Sequence, residues 1–347
     1  MKNYRTIDID KWQFETTGVH TGIMRIDLSK WGYEPRGDYE LCLKVFRDDY
    51  KPLEEFMWKH TNLMDATIIQ NILHEEGFAP RVYDLVKVMT PVGIHWGQIV
   101  EYLPDSERGA FSSKEKGEEI KRVMKKNGIG IVSIDPNPKH KYVDKMVDMS
   151  QLYLVDDIYK NDLIERFTKD AIWGSNPKPY QGIKELGIEG QRTLGQRLIA
   201  YDFDSVDFRG KTVIDFGCSG GELSREAVDR GAKYCVGIDL PRVANVTREM
   251  NRLLGYFNID VIGGDFSCKK EIPDVGHYDI AFYMSTQQLG FPEYLKDRVD
   301  ILYLEGHSGD HRETYEDRLK KMFNKVEFLG GSNDHSVRPV FRASNGT

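Results

Sequence analysis

The stretch Lys211-Thr212-Val213-Ile214-Asp215-Phe216-Gly217-Cys218-Ser219-Gly220-Gly221 decides the reading of the second half of this chain. An apolar, β-branched strand, Thr212-Val213-Ile214, stops at the acid Asp215 and passes through glycine into a segment of helical period. Such a strand-to-helix turn brings bare backbone against a ligand at a helix N-terminus, because residues without a bulky side chain permit the approach.

Working outward, strands are predicted at 211–216, 233–239, 258–263, 277–283 and 299–305, with helical spacing between them. Each crossover is long enough to connect parallel strands. Two further strands, 323–328 and 336–342, flank the turn Leu329 to His335. The expected fold class is α/β: a Rossmann-like seven-stranded sheet of five parallel strands plus a C-terminal hairpin.

Asp239 closes the second strand, 18 residues beyond Gly221, where a carboxylate can accept the hydroxyls of a ribose. The turn and this acid together resemble the class I S-adenosylmethionine (SAM) dependent methyltransferase family. Its first motif reads apolar-apolar-Asp-apolar-Gly-Cys-Gly-x-Gly, and Val213 to Gly221 matches with Ser219 in place of the middle glycine. The spacing differs from the GxGxxG of nicotinamide-binding turns. The resemblance implies SAM as cofactor, held by Asp215, Gly217, Ser219, Gly221, Asp239, Leu240, Asp265, Phe266 and Tyr283. Gly264-Asp265-Phe266 stands where the family places the adenine edge. Tyr278-Asp279-Ile280-Ala281-Phe282 matches the family's fourth strand and leads to Tyr283-Met284-Ser285-Thr286, where acceptor contacts begin. Upstream, Arg192 is a candidate partner for the methionine carboxylate.

Methyl transfer from a sulfonium is an in-line displacement, which asks the protein to align the acceptor and remove its proton. The fifth strand ends in Glu305-Gly306-His307, so Glu305 or His307 is the expected base. His307 and His311 have helical metal-ligand spacing, but Gly306 and Gly309 oppose a helix, and no metal site is expected. Ser332-Asn333-Asp334-His335 and Arg338 read as a hydrated turn at the rim of the acceptor pocket.

The first half, 1–170, is expected to be an α+β domain, separated from a methyltransferase domain at 171–347 by the breaker-rich Trp173 to Pro179. Lys44 lies inside the apolar strand Tyr39 to Phe46, a helix spans Asn62 to Glu76, and Gly97 to Leu103 reads as another strand. That order resembles the small lobe of protein-kinase-like folds, with Asp135 in the place of the catalytic loop and Asp156 at the metal-binding strand end. Ser133, His140 and Asp157-Ile158 depart from the kinase pattern. A degenerate kinase-like domain is therefore expected, one that recognises substrate or regulates without efficient phosphoryl transfer.

Composition narrows the partners. In 347 residues, 48 basic against 55 acidic side chains give a net charge of −7, which disfavours a nucleic-acid backbone as the general partner. The segment Lys114 to Lys145 reverses the sign locally, with nine basic against five acidic residues, and suits an anionic acceptor. Four scattered cysteines give neither a disulfide framework nor a CxxC zinc pair. No apolar run reaches the roughly 20 residues of a membrane span, and the opening MKNYRTIDIDKWQ lacks a secretory core, so a cytoplasmic protein is expected. The functional expectation is methylation of an oxygen or nitrogen on a small-molecule or glycan acceptor. An RNA methyltransferase, a bifunctional kinase-methyltransferase and a non-catalytic SAM-binding regulator stand as alternatives.

Overall fold

The computed structural model describes residues 4–11, 14, 16–17, 21–35, 39–47, 57–58, 61–104, 114–131, 141–142, 145–146, 149, 152–154, 156–172, 177–264, 276–286, 292–307, 311–332 and 337–345. Asp135, His140, Asp265, Phe266 and the segment 333–336 lie outside them. The chain divides into two compact units, Met1–Asp162 and Leu163–Thr347.

In the first unit, strands β1 (Thr6–Asp8), β2 (Thr16–Thr17), β3 (Thr21–Met24) and β4 (Leu41–Phe46) precede a two-residue hairpin, β5 (Met57–Trp58) and β6 (Thr61–Asn62). Helix α1 (Leu63–Glu75) and the long hairpin β7 (Val82–Thr90) and β8 (Gly93–Glu101) follow, then α2 (Lys114–Lys126), β9 (Ile129–Ile131), β10 (Lys141–Tyr142), β11 (Lys145–Met146) and β12 (Leu152–Leu154). The main sheet runs β1-β7-β8-β4-β3-β2, and β12 pairs antiparallel with β9. The order expected from sequence, a lysine-bearing strand, a helix and two strands, is present. Asp156 opens helix α3 (Asp156–Asp170) rather than closing a strand.

Helix α1 starts where the Asn62 side chain accepts the Asp65 N–H at 2.8 Å, an N-cap that satisfies one of the free amides of the first turn. It ends before Gly77, whose φ of 82° only glycine adopts without cost. Its buried face is partly polar: Gln70 donates to the Pro80 carbonyl, and the Asn71 side chain bonds both N–H and C=O of Val82. Lys44 lies opposite Gln98 in the β4–β8 register, and Gln98 donates to Thr67 of α1 at 2.6 Å. No residue on the buried face of α1 is acidic.

In the second unit, α4 (Leu194–Ala200) leads into β13 (Thr212–Phe216), α5 (Glu222–Asp229), β14 (Tyr234–Asp239), α6 (Pro241–Leu253), β15 (Ile259–Gly263), β16 (Tyr278–Met284), β17 (Val299–Glu305), α7 (Arg312–Lys320) and the hairpin β18 (Lys325–Ser332) and β19 (Arg338–Ser344). The sheet order is β15-β14-β13-β16-β17-β19-β18, parallel except for β19, which is antiparallel to both neighbours. Neighbouring residues of one strand enter opposite cores: Val213, Cys235 and Ile280 pack on one face with Leu223 and Ala244, and Ile214, Val236 and Ala281 on the other with Leu319 and Phe323. Burial of both faces is why these strands read as continuous apolar runs.

The unit begins inside helix α3. Arg166 forms a two-pronged ion pair with Glu249 of α6, and the Phe167 ring packs where Gly220 has no side chain. The compact unit therefore starts before the breaker-rich segment that marks the boundary in sequence. Among the described residues no helix is long and apolar enough to cross a membrane.

Candidate active site

The turn after β13 is held from every side. Gly217 and Cys218 both donate to the Ile238 carbonyl, at 2.8 and 3.1 Å, tying the turn to the end of β14. Gly217, Ser219 and Gly221 take φ values of 72°, 47° and 74°. Three left-handed residues in five explain the glycines, and serine is small and polar enough to follow at the middle position. The carbonyls point outward to fixed donors: Thr247 Oγ1 reaches Ser219 O, and Arg225 Nη1 reaches both Gly220 O and Asn251 Oδ1. Gln181 Oε1 accepts the Glu222 N–H at 3.1 Å and caps α5.

Asp239 lies against this turn. One carboxylate oxygen accepts the Ser219 N–H and the other the Leu240 N–H, each at 2.7 Å. Burial raises its pKa, against the lowering effect of the two amides. A carboxylate offers about four lone-pair positions, so further hydroxyls can still be accepted. Asp215, beneath the turn, is buried and accepts from Ser224 Oγ at 3.0 Å. Burial pushes it up to about 6. It supports the turn from below. Burial also raises the Cys218 thiol, which packs into the space left by Gly237.

Two hydroxyls at the turn have no hydrogen-bond partner among the described residues, Ser219 Oγ and Thr286 Oγ1, although both residues are buried. A Cβ on Gly217 would overlap Thr286 Cγ2. Tyr283, also buried, packs on Phe216 with ring centroids 5.7 Å apart.

Glu305 and Arg192 meet each other. The guanidinium donates to both oxygens of the carboxylate at 2.7 and 2.9 Å, with both side chains almost wholly buried. Tyr201, Ser285 and Ser332 hydroxyls also donate to Glu305. Burial alone would raise the Glu305 pKa; the Arg192 hydrogen bonds and charge, with Ser332, hold it near 2. Arg338 donates to Ser285 Oγ at 2.6 Å and, like Arg192, to the Tyr180 hydroxyl. Ser332 and Arg338 are thus buried members of this network, not part of a hydrated turn. Sequence reading passed over Tyr180, Tyr201 and the support role of Ser285, since their partner is more than 100 residues away for two of them.

His307 follows Gly306, whose N–H is bound to the Pro339 carbonyl, and is partly exposed at the C-terminal edge of the sheet. His311 precedes the first turn of α7, so the two histidines do not share a helix. Among the described residues no group of three His, Cys, Asp or Glu side chains could hold a metal ion.

A glycine turn at the central strand, an acid closing its neighbour and the order β15-β14-β13-β16-β17-β19-β18 define the second unit as having the class I methyltransferase fold. Short segments agree. Over 53 residues the chain is 43% identical to the ribosomal protein L11 methyltransferase of Alteromonas mediterranea, covering 15% of this chain and 18% of that protein. Over 37 residues it is 57% identical to the enzyme of the same name from Actinobacillus pleuropneumoniae serotype 5b, covering 11% and 13%. The chain thus spans less than a fifth of these curated relatives. No protein-family model matches it. Among solved structures, the bifunctional kinase-methyltransferase WbdD superposes with a TM-score of 0.40 at 22% identity, over 53% of this chain and 46% of that one. Magnesium protoporphyrin IX methyltransferase from Synechocystis PCC 6803 gives 0.37 at 17% identity, over 55% and 95%.

Proposed function

We propose that the second unit binds SAM and transfers its methyl group to an oxygen or nitrogen of a small-molecule or glycan acceptor, in the cytoplasm. The observation that carries this reading is the turn Gly217–Gly221 with Asp239 bound to its Ser219 amide, at the centre of the parallel sheet. The residues present fit the cofactor. Asp239 has acceptor capacity left for the ribose hydroxyls, the left-handed turn Gly217–Gly221 lies against it, and Leu240 and Tyr283 supply apolar flanks. Asp265 and Phe266 keep their place in this reading at the adenine edge. Bound SAM would supply an electrophilic methyl group on a sulfonium.

The protein's part is alignment and proton removal. In this reading Glu305 is an anchor, because its oxygens are filled by five donors and its acidity is that of a poor base. His307, beside it and partly open, takes the proton from the acceptor. His307→Ala is expected to lower the methyl-transfer rate by about 10²-fold while leaving the affinity for S-adenosylhomocysteine (SAH) within twofold. Equal turnover of mutant and wild type on an extract that supports transfer would remove His307 from the mechanism.

The first unit fits a kinase-like scaffold that recognises the acceptor or regulates. Lys44 sits opposite Gln98 in the β4–β8 register, and the buried positions of α1 carry no carboxylate of the kind phosphoryl transfer uses, which supports a binding role over catalysis.

Calorimetric titration with SAH tests the cofactor assignment. Asp239→Ala is expected to weaken binding by about 1.5–3 kcal/mol, the range for hydrogen bonds to a charged group. Asp239→Asn keeps one acceptor oxygen but sets its NH2 against either the Ser219 or the Leu240 N–H, so it too should bind more weakly than wild type. Unchanged affinity in both variants would exclude this site.

A further inference from the structure

Thr286 follows β16 and is 7% exposed, with its methyl group against Gly217 and its hydroxyl lacking a partner among the described residues. A buried hydroxyl without a hydrogen bond is uncommon and costly, and it marks a place where another group belongs. The residue is held there by its neighbour. Ser285 adopts φ 58°, a left-handed conformation that serine rarely takes, and it is fixed on three sides. Its N–H binds the Glu305 carbonyl, its hydroxyl donates to the Glu305 carboxylate, and Arg338 donates to that hydroxyl. The Glu305–Arg192 network therefore turns the chain after β16 so that Thr286 covers the first glycine of the cofactor turn. Backbone strain held in this way collects at functional sites.

The sheet order says which end of the ligand Thr286 meets. Asp239 closes β14, on one side of β13, and Thr286 follows β16, on the other. A ligand bound to Asp239 through ribose hydroxyls and lying across the β13 turn extends its opposite end toward β16. In SAM that end is the amino acid. We infer that the Thr286 hydroxyl hydrogen-bonds the amino-acid end of the cofactor, presented by left-handed Ser285 and the Glu305 network behind it; the inference rests on the SAM reading above.

Two ligands separate this contact from general damage to the site. SAH carries the amino-acid end, and 5′-methylthioadenosine has the same nucleoside without it. In titrations of the full chain, Thr286→Val, which keeps the shape and removes the hydroxyl, is expected to bind SAH about tenfold more weakly, the cost of one hydrogen bond to a charged group. Its affinity for 5′-methylthioadenosine should stay within twofold of wild type. Thr286→Ser, which keeps the hydroxyl, should bind SAH within threefold of wild type. Thr286→Ala, run alongside, makes the same comparison if the valine variant does not fold. Equal losses on both ligands, no loss on either, or a serine variant as weak as the valine one would overturn the inference. Wild-type protein that binds neither ligand would instead sink the SAM reading, and this contact with it.

Discussion

Glu305→Ala is expected to destabilise the second unit by about 3–5 kcal/mol, because it leaves the Arg192 guanidinium buried without its carboxylate. The same change orphans the hydroxyls of Tyr201, Ser285 and Ser332, which now donate to Glu305. Glu305→Gln keeps the shape but not the charge and should fall between this variant and wild type. The pH dependence has a definite sign. The Glu305 pKa is depressed to about 2 from an ordinary value of 4.5. Its stabilising contribution is therefore complete above about 4.5 and is lost as pH falls through about 2, amounting to roughly 3 kcal/mol by linkage. Thermal unfolding of the full chain between pH 5 and pH 2 checks this. The acid-dependent loss should be smaller in Glu305→Gln than in wild type, and parallel curves would show that another carboxylate governs acid sensitivity.

This network was not legible in the sequence, and the reason is physical. Arg192, Glu305 and Ser332 belong to separate elements, and nothing local marks a polar residue as buried until the sheet brings it to a partner. Arg192 accordingly reads as a cofactor ligand and Glu305 as a base when each is taken with its own neighbours. The parallel sheet was legible because burial on both faces writes the strands as apolar runs; Val299–Glu305 has the boundaries the pattern predicts. The C-terminal hairpin was legible as a pair but not in extent. Strand β18 continues to Ser332 through a bulge between Phe328 and Gly330, where the Gly-Gly pair reads as a turn. The turn at Gly217 was legible because backbone that must adopt positive φ leaves glycine in the text. Thr286 leaves no such trace, since its significance depends on a strand neighbour and on the conformation of Ser285.

The turn also gives the sharpest test of where the ligand binds. Gly217 has φ 72°, and a Cβ there would overlap Thr286 Cγ2, so a valine brings both conformational strain and a steric conflict that its branched carbons enlarge. The turn cannot retreat easily. Moving it would break the bonds from Gly217 and Cys218 to Ile238 O and from Ser219 to Asp239. Gly210 supplies a matched comparison: its φ is 71°, and a Cβ would meet nothing within 4 Å. Gly210→Val therefore carries the backbone strain alone, about 1–2 kcal/mol, at the far end of strand β13. Gly217→Val is expected to weaken SAH binding by at least about 10²-fold, since displacing close-packed groups by a fraction of an ångström forfeits the contacts they make. Gly210→Val should bind SAH within twofold of wild type despite a comparable strain on its backbone. If titration finds the two variants equally competent for SAH, the Gly217 turn does not touch the cofactor, and the ligand of this fold must lie elsewhere on the sheet edge.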